Sequence, residues 1–116
     1  MNHRPLARKF AALGNEVRLR IVELISAHKE MCVCELVDEL GMSQANISRH
    51  VSVLRDAGIL RDRKFGAWVL LSVDEAALEE AFAELVGRVR DGRQASGAEN
   101  VLERLSRRCE VSTKVR

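Results

Sequence analysis

The sequence has no long hydrophobic run. Its longest apolar stretches, such as Ala67-Trp68-Val69-Leu70-Leu71, are far too short to cross a bilayer, and the first residues form no continuous apolar segment of the secretory kind. Both absences make the cytoplasm the expected location and a membrane an unexpected partner. Cysteine is scarce: three thiols cannot all pair within one chain, and a reducing cytosol would keep them free. An excess of one charge is missing too, since 19 Lys and Arg stand against 17 Asp and Glu for a net +2. The total therefore does not announce a polyanion partner. The distribution is more informative. Arg49, Arg55, Arg61, Arg63 and Lys64 fall close together, while Glu75, Glu79, Glu80 and Glu84 cluster downstream. Local basic patches form an electrostatic footprint for nucleic acid. Repeats and low-complexity tracts are absent.

With 116 residues, the chain has the length of one domain spanning 1–116, with a modest core. A first helix is expected over about 4–13, with Pro5 in its first turn, Leu6, Phe10 and Leu13 on one stripe, and Gly14 ending it. Asn15 suits the N-cap of a second helix reaching about Ala27, with Val17, Ile21, Leu24 and Ile25 inward and Arg18 outside the stripe. Met31-Cys32-Val33 reads as a short strand leading to a third helix at about 34–40. Gly41 closes that helix, and Ser43 caps a fourth running to about Ala57. Ile47, Val51 and Leu54 line the inner face of the fourth helix, leaving Gln44, Ala45, Ser48, Arg49, Ser52 and Arg55 outward. Two helices joined by a tight Gly-containing turn, the second polar outside, make a helix-turn-helix at about 34–58. Strands at about 59–65 and 68–72 flank Gly66-Ala67, a hairpin turn, and form a two-stranded wing within about 59–73. Asp74 caps a fifth helix to about Val89, residues 91–97 read as a connector, and a sixth helix follows at about 98–108. The expected fold is mainly α with a small β-hairpin: a winged helix-turn-helix of about six helices plus the wing.

The pair Cys32 and Cys34 stands just upstream of the helix-turn-helix. Thiolates are soft ligands for thiophilic ions. Residues i and i+2 diverge by about 200° on a helix but share a face in an extended strand. Chelation of one ion therefore favours an extended or unwound first turn, and binding would reshape the start of the third helix, giving the ion different affinities for two conformations. A helix N-terminus also favours the thiolate. The competing role is packing, because free cysteine often serves as a small hydrophobe. Cysteines separated by one residue are expected to be poorly placed for an unstrained disulfide. Zinc is not favoured: it wants four N or S ligands, and only His3, His28 and His50 are available, none on the fifth helix.

Ala12-Leu13-Gly14-Asn15-Glu16-Val17-Arg18-Leu19, Ser43-Gln44-Ala45-Asn46-Ile47-Ser48-Arg49-His50-Val51 and Gly58-Ile59-Leu60 resemble the ArsR/SmtB repressors, and Asp62-Arg63-Lys64-Phe65-Gly66-Ala67-Trp68-Val69 resembles the wing of their arsenic-responsive members. The resemblance covers roughly 6–73 and weakens to helix pattern beyond. Cys32-Val33-Cys34-Glu35-Leu36 is similar to the metalloid site of those members. The resemblance implies a homodimeric winged-helix repressor that sits on a resistance operon and leaves when As(III) or Sb(III) binds, with no obligatory cofactor. Where the family pattern has a third cysteine, this chain has Val37. The remaining thiol, Cys109, continues the stripe of Leu102 and Leu105. Completing the metal site, within the chain or across a dimer, and packing stand open for it alike, as does a two-sulfur site with a small ligand.

The outward residues of the fourth helix suit a major groove. Gln44 matches adenine, Arg49 matches guanine or a phosphate, and Ser43 or Ser48 can reach a base or phosphate. By resemblance His50 is also placed near DNA. Arg61, Arg63 and Lys64 are expected on phosphates or in the minor groove, the alternative being a solvated hairpin with Arg61–Asp62 pairing. Trp68 is expected to anchor the hairpin to the core rather than stack on a base. Helices at about 4–13, 74–89 and 98–109 carry surplus apolar stripe, which argues for an isologous homodimer. Such a dimer would read an inverted-repeat operator in double-stranded DNA, with half-sites about 10 bp apart. A cadmium, lead or thiol-redox sensor using the same cysteines is the second reading, and a constitutive DNA-binding module is another. An enzyme such as an arsenate reductase is not expected, because no Gly-rich anion loop with a downstream Arg follows either thiol and no nucleophile–base pair is evident.

Overall fold

The computed structural model describes residues 2–95 and 100–111, without the side chains of residues 95 and 109–111. Among these residues the order is α1 (Arg4–Leu13), α2 (Glu16–His28), α3 (Val33–Leu40), α4 (Gln44–Asp56), β1 (Leu60–Phe65), β2 (Trp68–Val73), α5 (Glu75–Ala95) and α6 (Val101–Val111). Packing gathers the chain into two units, residues 1–83 and 84–116. The architecture is a winged helix-turn-helix with six described helices and one antiparallel hairpin.

The helix ends follow local chemistry. Pro5 sits in the first turn of α1, where a missing N–H costs nothing, and the Gly14 N–H closes that helix onto the Ala11 carbonyl at 3.2 Å. The Asn15 amide oxygen accepts from the N–H groups of Val17 and Arg18 at 2.9 and 3.1 Å, opening α2. In the first unit, Ile21 and Ile25 of α2, Leu36 of α3, Ile47, Val51 and Leu54 of α4, and Ile59, Leu60 and Leu71 of the hairpin region form one buried cluster. Each such aliphatic side chain contributes roughly 1.5–3 kcal/mol through removal from water.

The hairpin register pairs Leu60 with Val73, Asp62 with Leu71, Arg63 with Leu70 and Phe65 with Trp68. Gly66 has φ +61°, and a positive φ at the first central residue alone is the signature of a II′ turn. The short strand expected at residues 31–33 is reduced to one bridge, Met31 with Leu71. Cys32 is extended, and the helix begins at Val33.

Two boundaries differ from expectation. Helix α5 continues to Ala95 through much of the expected connector. Gly87 and Gly92 each cost only about 1 kcal/mol in a helix and no proline stops the chain, while Arg88 pairs with Glu84 at 2.6 Å one turn back. Helix α6 starts at Val101 because Asn100 accepts from the Glu103 N–H at 2.8 Å and so caps it; residues 98 and 99, where the sixth helix was expected to begin, lie outside the described residues. No described helix is long and apolar enough to cross a membrane.

Candidate nucleic-acid interface and thiol pair

Helices α3 and α4 are joined through Gly41, which adopts the left-handed conformation at φ +64° and donates its N–H to the Val37 carbonyl at 2.9 Å. Only glycine adopts that backbone without strain, so the turn stays tight. The Ser43 hydroxyl oxygen accepts from the Asn46 N–H at 3.2 Å and thereby caps α4. Its own O–H remains a donor for a phosphate or base. Gln44 and Arg49 are exposed, and Ser48 is half-buried on the same helix. Arg49 donates to the Asn46 side-chain oxygen at 3.0 Å, which steadies its guanidinium on the outer face.

His50 is half-buried. Arg18 donates through Nη1 to His50 Nδ1 at 3.2 Å, through Nε to the Ala12 carbonyl at 2.6 Å, and through Nη2 to the Ala11 carbonyl at 3.2 Å. A guanidinium only donates, so Nδ1 is the acceptor and Nε2 carries the proton. Burial, with the Arg18 charge beside it, holds the imidazole pKa below its ordinary value. Sequence reasoning left Arg18 on the surface; partners 32 residues away on another helix give no local signal. His28 Nδ1 donates to the Leu24 carbonyl at 2.9 Å, a helix-surface role.

The wing cations are not all free. Arg63 makes a bidentate pair with Glu30, at 2.6 and 2.8 Å. Arg61 pairs with Asp74 at 2.9 Å, and Arg55 of α4 with Asp62 at 2.8 Å. The Arg61–Asp62 pairing of the alternative reading does not form, because Asp62 lies on the strand face turned to α4 and Arg61 on the opposite one. The hydrogen bond from Arg63 holds the Glu30 carboxyl below its ordinary value, and the Ala77 N–H followed by Arg61 does the same for Asp74. Lys64 has no carboxylate partner among the described residues.

Trp68 does not anchor the hairpin to the core. Leu71 is the buried residue of β2, and Trp68, three positions away, falls on the other face by strand alternation. It is 57% exposed, as is its cross-strand partner Phe65. The alternation was available in the sequence once Leu71 is taken as the inward residue.

Cys32 is 8% exposed and precedes α3 in extended conformation, whereas Cys34 is exposed in its first turn. Their sulfurs are joined as a disulfide, with Cα atoms 5.4 Å apart. One extended and one helical residue aim both Cβ atoms to the same side, at an ordinary Cα separation for a disulfide. No unwound first turn is needed for the sulfurs to converge. The Glu35 carboxylate accepts from the Cys32 N–H at 3.1 Å and fixes the helix start. Cys109 lies in α6, but its side chain is outside the described residues. No group of three or more His, Cys, Asp or Glu that could hold a metal is present among the described residues.

Residues 15–62 match the family described as bacterial regulatory protein, arsR family. HlyU from Vibrio cholerae is 30% identical, with a TM-score of 0.58 and coverage of 76% of this chain and 94% of that one. The chain belongs to the ArsR family. Its members are DNA-binding regulators rather than enzymes. Among its ArsR-family relatives, the Escherichia coli arsenical resistance operon repressor is 52% identical over 60 residues, which is 52% of this chain and 51% of the relative. The solution structure of a homodimeric winged helix-turn-helix DNA-binding domain from Mycobacterium bovis, 26% identical, superposes with a TM-score of 0.61 over 76% of this chain and 80% of that one. The chain spans about half the length of the curated arsenic-resistance regulators from Escherichia coli and Pseudomonas putida that it matches.

Proposed function

We propose that this chain is a homodimeric, cytoplasmic transcriptional repressor of an arsenic- and antimony-resistance operon, released from its operator when As(III) or Sb(III) is bound by the thiolates of Cys32 and Cys34. The observation that carries this reading is the convergence of two sulfurs at the N-terminus of α3, the first helix of the helix-turn-helix. Thiolate sulfur suits a soft, thiophilic ion. The 52% identity to an arsenical resistance operon repressor supports the choice of inducer.

The chain's own residues supply a route from ion to DNA. In the reduced chain the two thiols are not bonded to each other, and a shared ion then sets their separation, so loading repositions Cys32 relative to Cys34. Met31, next in the chain, exchanges two backbone hydrogen bonds with Leu71 of β2, at 3.0 and 2.8 Å. The displacement acts on α3 and on the base of the wing together, which gives the ion different affinities for the gripping and released forms. Gln44, Ser48 and Arg49, with the Ser43 hydroxyl, face the major groove in this reading, while Lys64 takes a phosphate. The homodimer reads an inverted repeat with half-sites about 10 bp apart. Cys109 is either a third sulfur ligand, from its own or the partner protomer, or a packing residue.

A labelled duplex from upstream of the gene for this chain provides the test. Arsenite is expected to release the reduced protein, and Cys32→Ser and Cys34→Ser to abolish release while binding persists. Retention of the arsenite-treated wild type on DNA removes the reading. Arsenite affinity unchanged in Cys109→Ser takes that thiol out of the site. The Cys32–Cys34 disulfide favours a second reading, a thiol-redox sensor, in which peroxide alone releases the DNA and arsenite does not. Cadmium and lead serve as the comparison ions.

A further inference from the structure

Among the described residues, Lys29 is the one residue other than glycine with a positive φ, at φ +70° and ψ −49°. Its neighbours close a three-residue turn, the Glu30 N–H donating to the His28 carbonyl at 2.8 Å. Those angles and that bond make a γ-turn with positive central φ, the rare and strained kind. A lysine keeps such a backbone only where its surroundings hold it there. The next three residues supply the hold. Glu30 takes Arg63 of β1 through both carboxylate oxygens, at 2.6 and 2.8 Å, and Met31 exchanges backbone hydrogen bonds with Leu71 of β2. Cys32 follows, its sulfur joined to that of Cys34 and its N–H donated to Glu35 at 3.1 Å. Residues 29–32 are thus a strap, bent at one end, fixed to α3 at the other and fastened to the hairpin between.

The fastening is one that a duplex would contest. Arg63 gives Glu30 its Nε and Nη2 donors, the same fork that binds a phosphate in bidentate fashion. The Phe65 ring, its centroid 5.5 Å from the guanidinium carbon, steadies the fork without offering it a carboxylate. Carboxylate and phosphate are therefore rivals for one cation, and a strained turn holds the carboxylate in reach. Joined sulfurs tie Cys32 to α3 and keep the strap drawn, as in this structure. Separate thiols remove that restraint, and relaxation of Lys29 then carries Glu30 away from Arg63. We propose that Glu30 is the coupling residue of the switch: it withholds Arg63 while an ion or a bond spans the two sulfurs, and yields it to a backbone phosphate when the thiols are apart. This gives the two sulfur states different affinities for DNA. The inference rests on the metalloid reading above and names the contact through which that reading acts.

The reduced full chain and its arsenite-loaded form are titrated onto the labelled upstream duplex by anisotropy, at several salt concentrations. Loaded Glu30→Gln is expected to bind about tenfold more tightly than loaded wild type, the size of one regained charged contact, so arsenite releases it less completely. Lys29→Gly, which removes the strain of the turn, is expected to act the other way and weaken the reduced protein. Arg63→Gln is expected to flatten the slope of log affinity against log salt by about 0.9 in the reduced protein and to leave the loaded protein's slope unchanged. A passive brace does not give opposite signs for Glu30→Gln and Lys29→Gly. Lys29 and Arg63 are exposed and Glu30 is half-buried, so the variants fold, and circular dichroism checks this. Equal release of wild type and Glu30→Gln by arsenite overturns the inference and leaves the metalloid reading intact. A Glu30→Gln protein that loses affinity equally in both forms overturns it too, as the mark of a wing merely loosened. Should arsenite leave the wild type on DNA, the metalloid reading falls, and the variants are compared between the dithiol and the diamide-oxidised disulfide. The same signs there support the coupling role of Glu30, and equal behaviour in the two forms overturns it.

Discussion

At Arg18 one guanidinium serves three acceptors, two carbonyls at the end of α1 and the imidazole of His50 on α4. It bonds the last carbonyls of one helix, where backbone donors run out, while holding the recognition helix of the proposed DNA interface. The pH consequence follows from the neutral ring. His50 has a lower pKa folded than unfolded, so the unfolded chain takes up a proton first, and this contribution is present above the ordinary value of 6.5 and lost as pH falls through the folded value. Denaturant midpoints are expected to drop in the wild type as the pH falls below the ordinary value of 6.5. His50→Gln is expected to lack this component, and an unchanged slope in the variant would contradict the argument. In the core, Leu54 is wholly buried among neighbours of α2, α3 and the hairpin region. Leu54→Ala is expected to cost about 2–5 kcal/mol in urea unfolding.

Among the elements, the wing shows how far pattern reaches. Gly66 and the two β-rich runs identify a hairpin, and its turn is the one expected. The face presented by each strand depends on which residue enters the core, and taking Trp68 as the anchor inverts it. The bracing was not visible either, since Glu30 lies 33 residues from Arg63. Glu30→Gln is expected to lower hydrogen-exchange protection of the hairpin amides relative to those of α2, once corrected for intrinsic rates. In the wild type the same loss is expected as pH falls below the ordinary Glu30 value of 4.5, because the carboxyl is held lower only while Arg63 bonds it. The helix starts marked by Asn15 and Ser43 were legible, because their caps act within three residues. The length of α5 was not, because Gly92 reads as a connector and is in fact carried inside a helix.

For the whole molecule, the decisive feature is apolar surface that neither unit covers by itself. In residues 84–116, Leu85, Val86 and Val89 of α5 and Val101, Leu102 and Leu105 of α6 are all exposed. Patches of this kind mark association surfaces, and a two-fold partner is the commonest solution. The proposed homodimer makes Val89→Asp informative. Sedimentation is expected to shift toward the monomer, and operator affinity to fall at protein concentrations where the wild type is dimeric. A dimeric Val89→Asp protein would move the interface elsewhere.

Composition, periodicity and short motifs determined the helix order, the helix-turn-helix, the existence of the wing and the ArsR membership, because caps, turns and apolar stripes act over a few residues. They also placed two thiols beside α3. Tertiary structure alone decided that an extended Cys32 and a helical Cys34 converge, that Arg61 and Arg63 brace the wing, and that Trp68 faces solvent. Those outcomes depend on which face of each element is turned inward and on partners distant in the chain, information that no local window contains.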